Sequence, residues 1–328
     1  MRDGGRFRSN PLRSEMRGPW DRGAVSRSAV FCCWRWAAAA TATRRARDRN
    51  WGRVIRGSLT SGGFDRTYVL HVPPSHDPTQ PAPLAIFFHG FGGSGLGFKS
   101  FTTVHTHTDA RGWVAVFPDG VQGSWAAGCD CTTADTAGVD DIGFVLDLIT
   151  SLGGEMAIDQ RRIYVAGFSQ GALMVHHLAC ELADRIAGGA SVGATLLPEV
   201  AERCAPARPV PLVFIQGTAD PTFPFNGVEN LLLSFPATVE KWVALNGCDA
   251  EAFTRELLPD LVDDGTRVEI ESYPTCAGGA EIISYIIDRG GHTWPSSSPA
   301  LPDRFGPTSR DISASEVIVE FFARHQLN

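Results

Sequence analysis

The stretch Gly167–Phe168–Ser169–Gln170–Gly171 lies between a strand-like run, Arg162–Ala166, and a helical pattern, Ala172–Leu182. A G-x-S-x-G sequence between a strand and a helix is typical of a nucleophile elbow, a strained turn that exposes a serine hydroxyl above a sheet. The two glycines leave out Cβ atoms that would collide inside so tight a turn. The pattern therefore predicts Ser169 as a nucleophile.

The sequence on both sides of this turn predicts an α/β fold. Leu84–Phe88 is wholly apolar, as expected for a strand buried on both faces of a sheet. Further predicted strands are Thr67–Val72, Trp113–Phe117, Val210–Gln216, Val268–Tyr273 and Ile282–Ile287, and further predicted helices open at Asp140–Asp141 or cover Thr238–Leu245 and Ser313–Ala323. Because strands alternate with helices, we expect βαβ units and a mostly parallel central sheet with helices on both faces.

Two further residues complete a possible catalytic triad with Ser169. A serine hydroxyl is a poor nucleophile until a base takes its proton, and the base is oriented by an acid. His292 follows the predicted strand Ile282–Ile287, and Asp220 follows the predicted strand that ends at Gln216. The order Ser, Asp, His along the chain is that of the α/β-hydrolases. Asp220 alone would be read as a turn residue before a proline, but the combination favours the triad.

Backbone amides on two loops are candidates for the oxyanion hole. One donor should be the amide of Gln170, which follows the nucleophile, and the other should come from the loop after an early strand. That loop begins at His89–Gly90, directly after the apolar run Leu84–Phe88. We expect the amide of Phe91 to be the second donor, with Gly92 as the alternative.

Three aromatic residues on loops are candidates for substrate contacts. We expect Trp125, Trp294 and Phe223 to lie near the catalytic centre and to line the acyl or leaving-group pocket, since aromatic rings there can stack on a ring of a ligand. Simple packing is an equally good interpretation of all three.

The composition and the charge exclude several classes of protein. The chain has 328 residues, 43% of them hydrophobic and 20% charged, which is a globular composition. Residues 1–50 carry 12 Arg and 4 acidic residues, a net charge of +8, so the remainder carries −7 − 8 = −15. An acidic body argues against a nucleic-acid partner, and no apolar stretch approaches the length of a membrane helix. We expect residues 1–52 to be a disordered basic leader and a candidate export signal, and residues 53–328 to be one catalytic domain.

Six cysteines lie in this predicted domain, namely Cys129, Cys131, Cys180, Cys204, Cys248 and Cys276. An even number favours disulfides and an oxidising compartment, although buried thiols remain an alternative, and the sequence does not choose among the 15 full pairings. The Cys129–Cys131 pair is too isolated for a zinc site, because no second pair of ligands accompanies it. We therefore predict no metal site.

The motifs together resemble a known family, the secreted esterases that include feruloyl esterases and poly(3-hydroxybutyrate) depolymerases. The matching stretches are Phe88–His89–Gly90, Val139–Asp140–Asp141–Ile142–Gly143–Phe144, Gly167–Phe168–Ser169–Gln170–Gly171, Gly217–Thr218–Ala219–Asp220, Gly291–His292–Thr293–Trp294–Pro295 and Ala314–Ser315–Glu316–Val317–Ile318. The resemblance implies an α/β-hydrolase fold with Ser169, Asp220 and His292 as its triad. It also implies the disulfides Cys180–Cys204 and Cys248–Cys276, and it leaves the partner of Cys129 and Cys131 open.

These features predict a secreted serine carboxylic-ester hydrolase that needs no cofactor. Its expected substrate is a small or oligomeric ester, either a feruloyl ester of the plant cell wall, in polysaccharide degradation, or a hydroxyalkanoate ester. We expect a monomer without a nucleic-acid partner or an integral membrane segment. The alternatives are a peptidase with the same fold and a non-catalytic binding protein that retains it.

Overall fold

The computed structural model describes residues 54–328, so the leader predicted over residues 1–52 lies outside the described residues. Ten strands form one sheet. They are β1 (Val54–Ser61), β2 (Phe64–His71), β3 (Ala82–Phe88), β4 (Val114–Pro118), β5 (Ile158–Phe168), β6 (Gly188–Val192), β7 (Leu212–Gly217), β8 (Thr254–Leu257), β9 (Arg267–Tyr273) and β10 (Ile282–Asp288).

The strand order across the sheet is β1-β2-β4-β3-β5-β6-β7-β10-β9-β8. The six central strands, β4, β3, β5, β6, β7 and β10, are parallel to one another. The two outer strands on each side run antiparallel to their neighbours. The carboxyl ends of the central strands therefore meet at one edge of the sheet, where ligands of such folds commonly bind.

Eight α-helices accompany the sheet in the described part of the chain. They are α1 (Gly95–Thr102), α2 (His105–Ala110), α3 (Thr133–Thr136), α4 (Asp141–Glu155), α5 (Gln170–Glu181), α6 (Pro198–Arg203), α7 (Phe235–Leu245) and α8 (Ala314–Phe322). No helix among residues 54–328 is long and apolar enough to cross a membrane.

Helices cover both faces of the sheet, as the sequence predicts. Along β3, Leu84 and Ile86 belong to a core that also contains apolar residues of α4, α5 and α7. Ala85 and Phe87 belong to a second core, which contains apolar residues of α1 and α8. This alternation follows from the strand geometry, in which successive side chains point to opposite faces.

All the predicted strands are present, with shifted ends. The strand before the elbow begins at Ile158, four residues before its predicted start, and α7 begins at Phe235 instead of Thr238. The earlier start of α7 has a local cause, because the Ser234 hydroxyl accepts a hydrogen bond from the amide of Ala237 and Pro236 suits the first turn. Strands β1, β6 and β8 were not predicted.

Candidate active site

Ser169 lies on the turn between β5 and α5 with φ 58° and ψ −124°, a conformation that side-chain-bearing residues rarely adopt. The flanking glycines make the turn possible. A Cβ at Gly167 would lie 2.0 Å from the carbonyl oxygen of Gly171, and a Cβ at Gly171 would lie 2.2 Å from that of Phe88. The turn leaves Ser169 partly exposed at the carboxyl edge of the sheet.

The structure brings the three predicted triad residues together. His292 Nε2 lies 2.9 Å from the Ser169 hydroxyl, and His292 Nδ1 lies 2.8 Å from Oδ2 of Asp220. Asp220 and His292 are buried, with 4% and 3% of their surface exposed. Because the carboxylate accepts at Nδ1, that nitrogen carries the imidazole proton, and Nε2 is left free to accept the proton of Ser169.

Four hydrogen bonds fix the carboxylate of Asp220. Oδ1 accepts from the amides of Thr222 and Phe223 at 2.7 and 2.8 Å, and Oδ2 accepts from Gln216 Nε2 at 3.1 Å as well as from His292. Gln216 lies near the end of β7 and is 1% exposed. Sequence reasoning missed its role, although a polar residue at the end of an otherwise apolar run was a usable signal.

Aromatic rings hold the imidazole of His292 in place. The ring of Phe168 lies 4.8 Å from it, and the ring of Phe223 stacks on it at 5.7 Å. Gly193 also lies against the imidazole, since a Cβ there would lie 3.3 Å from it. The predicted substrate residue Phe223 is half-buried, and its contact with His292 places it next to the reacting groups.

The amide of Phe91, on the loop after β3, is available to a ligand. Within residues 54–328, no acceptor takes a hydrogen bond from the amide of Phe91 or of Gln170. The alternative donor, Gly92, is excluded because its amide donates to the carbonyl of Gly123 at 2.8 Å. Gly90 lies against the nucleophile, since a Cβ there would lie 3.1 Å from the Ser169 Cβ.

His89 fixes the direction of this amide. Its Nε2 accepts from the amide of Gly120 at 3.0 Å, so the proton lies on Nδ1, which donates to the carbonyl of Gly90 at 2.7 Å. Gly93 donates to the same carbonyl. Because a peptide group is planar and trans, holding the Gly90 carbonyl points the Phe91 amide the opposite way. Burial lowers the pKa of His89, which keeps the ring neutral.

Trp125 and Trp294, which were predicted to contact the substrate, are fully buried instead. The indole of Trp125 donates to the carbonyl of His89 at 2.9 Å, and the indole of Trp294 donates to the Ser315 hydroxyl at 3.1 Å. Neither ring has surface left to contact a ligand, so both are packing residues of the surrounding structure. The prediction failed because burial of a loop tryptophan depends on partners distant in the chain.

The side chain of Gln170 anchors the loop that carries Trp125. Its Oε1 accepts from the amide of Trp125 and its Nε2 donates to the Ser124 hydroxyl, both at 3.1 Å. Gln170 thus has two separate features, a side chain that holds this loop and a backbone amide that remains free.

A buried ion pair also holds this loop. Arg66 Nη2 lies 2.6 Å from Oδ1 of Asp141, and Oδ2 of Asp141 accepts from the amide of Ala126 at 2.7 Å. Burial raises the pKa of Asp141, while the charge of Arg66 opposes that shift. The neighbouring Asp140 caps the start of α4, since its side chain accepts from the amide of Gly143 at 2.7 Å.

The structure contains both disulfides implied by the family resemblance, Cys180–Cys204 and Cys248–Cys276. It also joins Cys129 to Cys131, the pair whose partner the sequence left open. In the described part of the chain, one group of side chains has the spacing of metal ligands, and it consists of Cys129, Cys131 and Asp135. The two sulfurs form a disulfide and therefore offer no thiolate to a metal ion.

Comparison with known proteins agrees with this arrangement. Residues 139–239 match the phospholipase/carboxylesterase family. The chain is 32% identical over 276 residues to NocK of Nocardia uniformis subsp. tsuyamanensis, which is named as an esterase. The match covers 79% of each protein. It is 30% identical over 241 residues to feruloyl esterase B of Piromyces equi, covering 69% of this chain but 42% of that protein, less than half of its length.

Solved structures show the same fold. An acetyl xylan esterase from Aspergillus awamori aligns with a TM-score of 0.55 at 13% identity, over 82% of this chain and 99% of that one. A thermostable esterase aligns with a TM-score of 0.54 at 15% identity, over 83% and 63% of the two chains. These alignments confirm the α/β-hydrolase fold expected from the sequence.

Proposed function

The chain belongs to the α/β-hydrolase family of carboxylic-ester hydrolases that includes these esterases, and we propose that it cleaves esters through an acyl-enzyme on Ser169. The observation that carries the proposal is the continuous hydrogen-bonded series Ser169–His292–Asp220, with separations of 2.9 and 2.8 Å. This is the geometry by which a base activates a serine hydroxyl and a carboxylate orients the base.

Each group has a defined task in the proposed reaction. His292 Nε2 accepts the proton of Ser169 as its oxygen attacks the ester carbonyl, and the same nitrogen then donates that proton to the departing alcohol. Asp220 stabilises the imidazolium that forms in between. Water, activated by His292, then cleaves the acyl-enzyme and releases the acid. No metal or organic cofactor takes part.

The amides of Phe91 and Gln170 are the proposed oxyanion hole. Both are free of intramolecular acceptors in the described residues, and they flank Ser169 on the two loops that meet at Gly90. Fixed donors of this kind stabilise the negative charge that develops on the carbonyl oxygen.

We propose acyl esters of plant polysaccharides as the substrate class, with feruloyl esters first. Support comes from relatives named feruloyl esterase, and from a relative named as a bifunctional acetylxylan esterase/xylanase. Phe223 adds a half-buried ring against His292, and an aromatic acyl group could contact that ring.

A comparison of methyl ferulate with 3-hydroxybutyrate oligomers as substrates tests this choice, and we expect turnover of methyl ferulate. Faster turnover of the oligomers would reverse it.

Three disulfides in the described residues support an oxidising compartment for this enzyme, consistent with the predicted export. The monomeric state and the absence of a nucleic-acid partner stay predictions.

Ser169→Ala tests the mechanism directly. We expect turnover of p-nitrophenyl acetate to fall by at least about a thousandfold, because the nucleophile is removed while the fold is kept. Ser100→Ala is the matched control, since Ser100 is an exposed serine on α1 and its replacement should leave turnover unchanged.

A fluorophosphonate should label wild-type Ser169, as read by peptide mass spectrometry. Equal turnover in both variants would exclude the mechanism, and activity on dipeptide amides but not esters would favour a peptidase.

A further inference from the structure

A cavity of about 470 Å³ lies between α7 and the strands β10, β9 and β8, and Thr218, at the start of the loop that carries Asp220, is part of its lining. We call it the α7–β9 groove. Its lining contains both aromatic and charged residues. The residues that matter here are Phe253, Tyr273, Glu240, Arg255, Glu269 and Glu271.

The groove begins at the loop that carries the catalytic acid. Thr218 lines it and lies two residues before Asp220 in the chain. Phe225 also lines it and lies two residues after Phe223, whose ring stacks on His292. A substrate whose ester is held at Ser169 could therefore extend past this loop into the groove.

The aromatic part of the groove offers ring faces. Phe253 and Tyr273 form a tilted pair with centroids 5.0 Å apart, and both rings are half-buried. Half-buried aromatic rings that line a cavity provide apolar contact area at a low cost in conformational entropy. The C–H faces of a sugar ring match such surfaces.

The polar part of the groove is rich in hydrogen-bond acceptors. Arg255 pairs with Oε1 of Glu269 at 3.2 Å and with Oε1 of Glu271. Within residues 54–328, the Oε2 atoms of these two glutamates have no hydrogen-bond partner, and neither does the hydroxyl of Tyr273. Burial, helped by the neighbouring carboxylates of Glu271 and Glu240, raises the pKa of Tyr273, so its hydroxyl stays a donor.

The charge of the groove selects among hydroxyl-rich ligands. The lining contains three carboxylates, those of Glu240, Glu269 and Glu271, and one guanidinium, that of Arg255, which leaves an excess of two negative charges. Carboxylates accept hydrogen bonds from hydroxyl groups and repel anions. The groove therefore suits a neutral saccharide and disfavours a uronic-acid chain.

We propose that the α7–β9 groove binds the neutral saccharide chain that forms the alcohol part of the ester substrate. The proposal rests on the proposed function, since it assigns the second half of the same substrate. The acyl group lies at Ser169 and the saccharide runs past Thr218 into the groove.

Substrates that share an acyl group but differ in the alcohol test this directly. We expect Phe253→Leu to raise KM for a feruloylated arabinoxylo-oligosaccharide about three- to tenfold, with kcat unchanged, because one ring contact made equally in ground and transition states is lost. Kinetics on methyl ferulate should stay the same, because that ester has no saccharide. An equal effect on both substrates, or none on either, would overturn the proposal.

A pair of hydroxyl deletions provides a matched control. Tyr273→Phe removes the hydroxyl inside the groove, and Tyr285→Phe removes one from a residue on β10 that lines a different cavity beside α8. Only Tyr273→Phe should raise KM for the oligosaccharide ester. An equal KM for the oligosaccharide ester in the two variants would contradict a saccharide site in the groove.

Direct binding separates this proposal from the proposed function. Isothermal titration of Ser169→Ala protein with unesterified arabinoxylo-oligosaccharide should show binding that Phe253→Leu weakens, and an oligogalacturonide should bind more weakly. This holds even if ferulate proves to be the wrong acyl group. Absence of saccharide binding to the Ser169→Ala protein would overturn the groove assignment whatever the ester kinetics show.

Discussion

His89 sets the direction of one amide without contacting the reacting atoms. Its Nδ1 proton and the amide of Gly93 both hold the Gly90 carbonyl, so the Phe91 amide on the other side of the same peptide points away from them. The sequence predicted the loop and the Phe91 amide. It could not predict the role of the His89 ring, because its second partner, the amide of Gly120, lies 31 residues further along the chain.

His89→Ala should therefore lower kcat about tenfold on p-nitrophenyl acetate, less than the hundredfold or more that follows loss of an oxyanion donor itself, because the amide remains but is less well oriented. His107→Ala, at a histidine on α2, is the matched control and should leave kcat unchanged. Steady-state kinetics measure both, and circular dichroism confirms the fold. A fall in both variants, or in neither, would contradict a positioning role for His89.

At the scale of elements, apolar runs predicted the strands that supply the triad. Strand β6 was not predicted, because it consists mostly of small residues. Strand β6 has the sequence Gly-Gly-Ala-Ser-Val, which has little strand propensity. It forms because it pairs with β5 on one side and β7 on the other. A Cβ at Gly189 would lie 2.8 Å from the side chain of Leu212, so the position requires a small residue. Tertiary packing explains this strand, and a local pattern could not reveal it.

The Cys180–Cys204 disulfide links α5, which begins at the nucleophile, to the end of α6. Replacing both cysteines with alanine should lower the free energy of unfolding by roughly 2–4 kcal/mol, because the 24-residue separation is no longer closed in the unfolded chain. Urea denaturation of wild type and variant measures the difference. Ester turnover at 25 °C should persist, since the bond lies at the far end of α5. An unchanged midpoint would show that this disulfide contributes nothing to stability.

At the scale of the whole described chain, residues 54–328, burial or partial burial lowers the pKa of several histidines. Burial lowers the pKa of His176 to about 3, and burial together with nearby Lys99 and His71 lowers the pKa of His105 to about 4. Burial also lowers the pKa of His177. His176 bridges the indole of Trp242, which donates to its Nδ1, and the Ser191 hydroxyl. The core is thus built around an imidazole that has no room for a second proton.

Acid should destabilise the fold through these groups. Their folded-state pKa values lie below the unfolded value of 6.5, so the unfolded chain binds protons first, and stability is complete above pH 6.5 and lost as the pH falls from 6.5 towards 3. At pH 5, protonation of His176 in the unfolded chain alone should remove about 2 kcal/mol. In His176→Gln, which cannot take up that proton, the slope of unfolding free energy against pH should be shallower between pH 6.5 and 5. Urea unfolding at each pH measures both slopes, and equal slopes would show that His176 does not drive the loss.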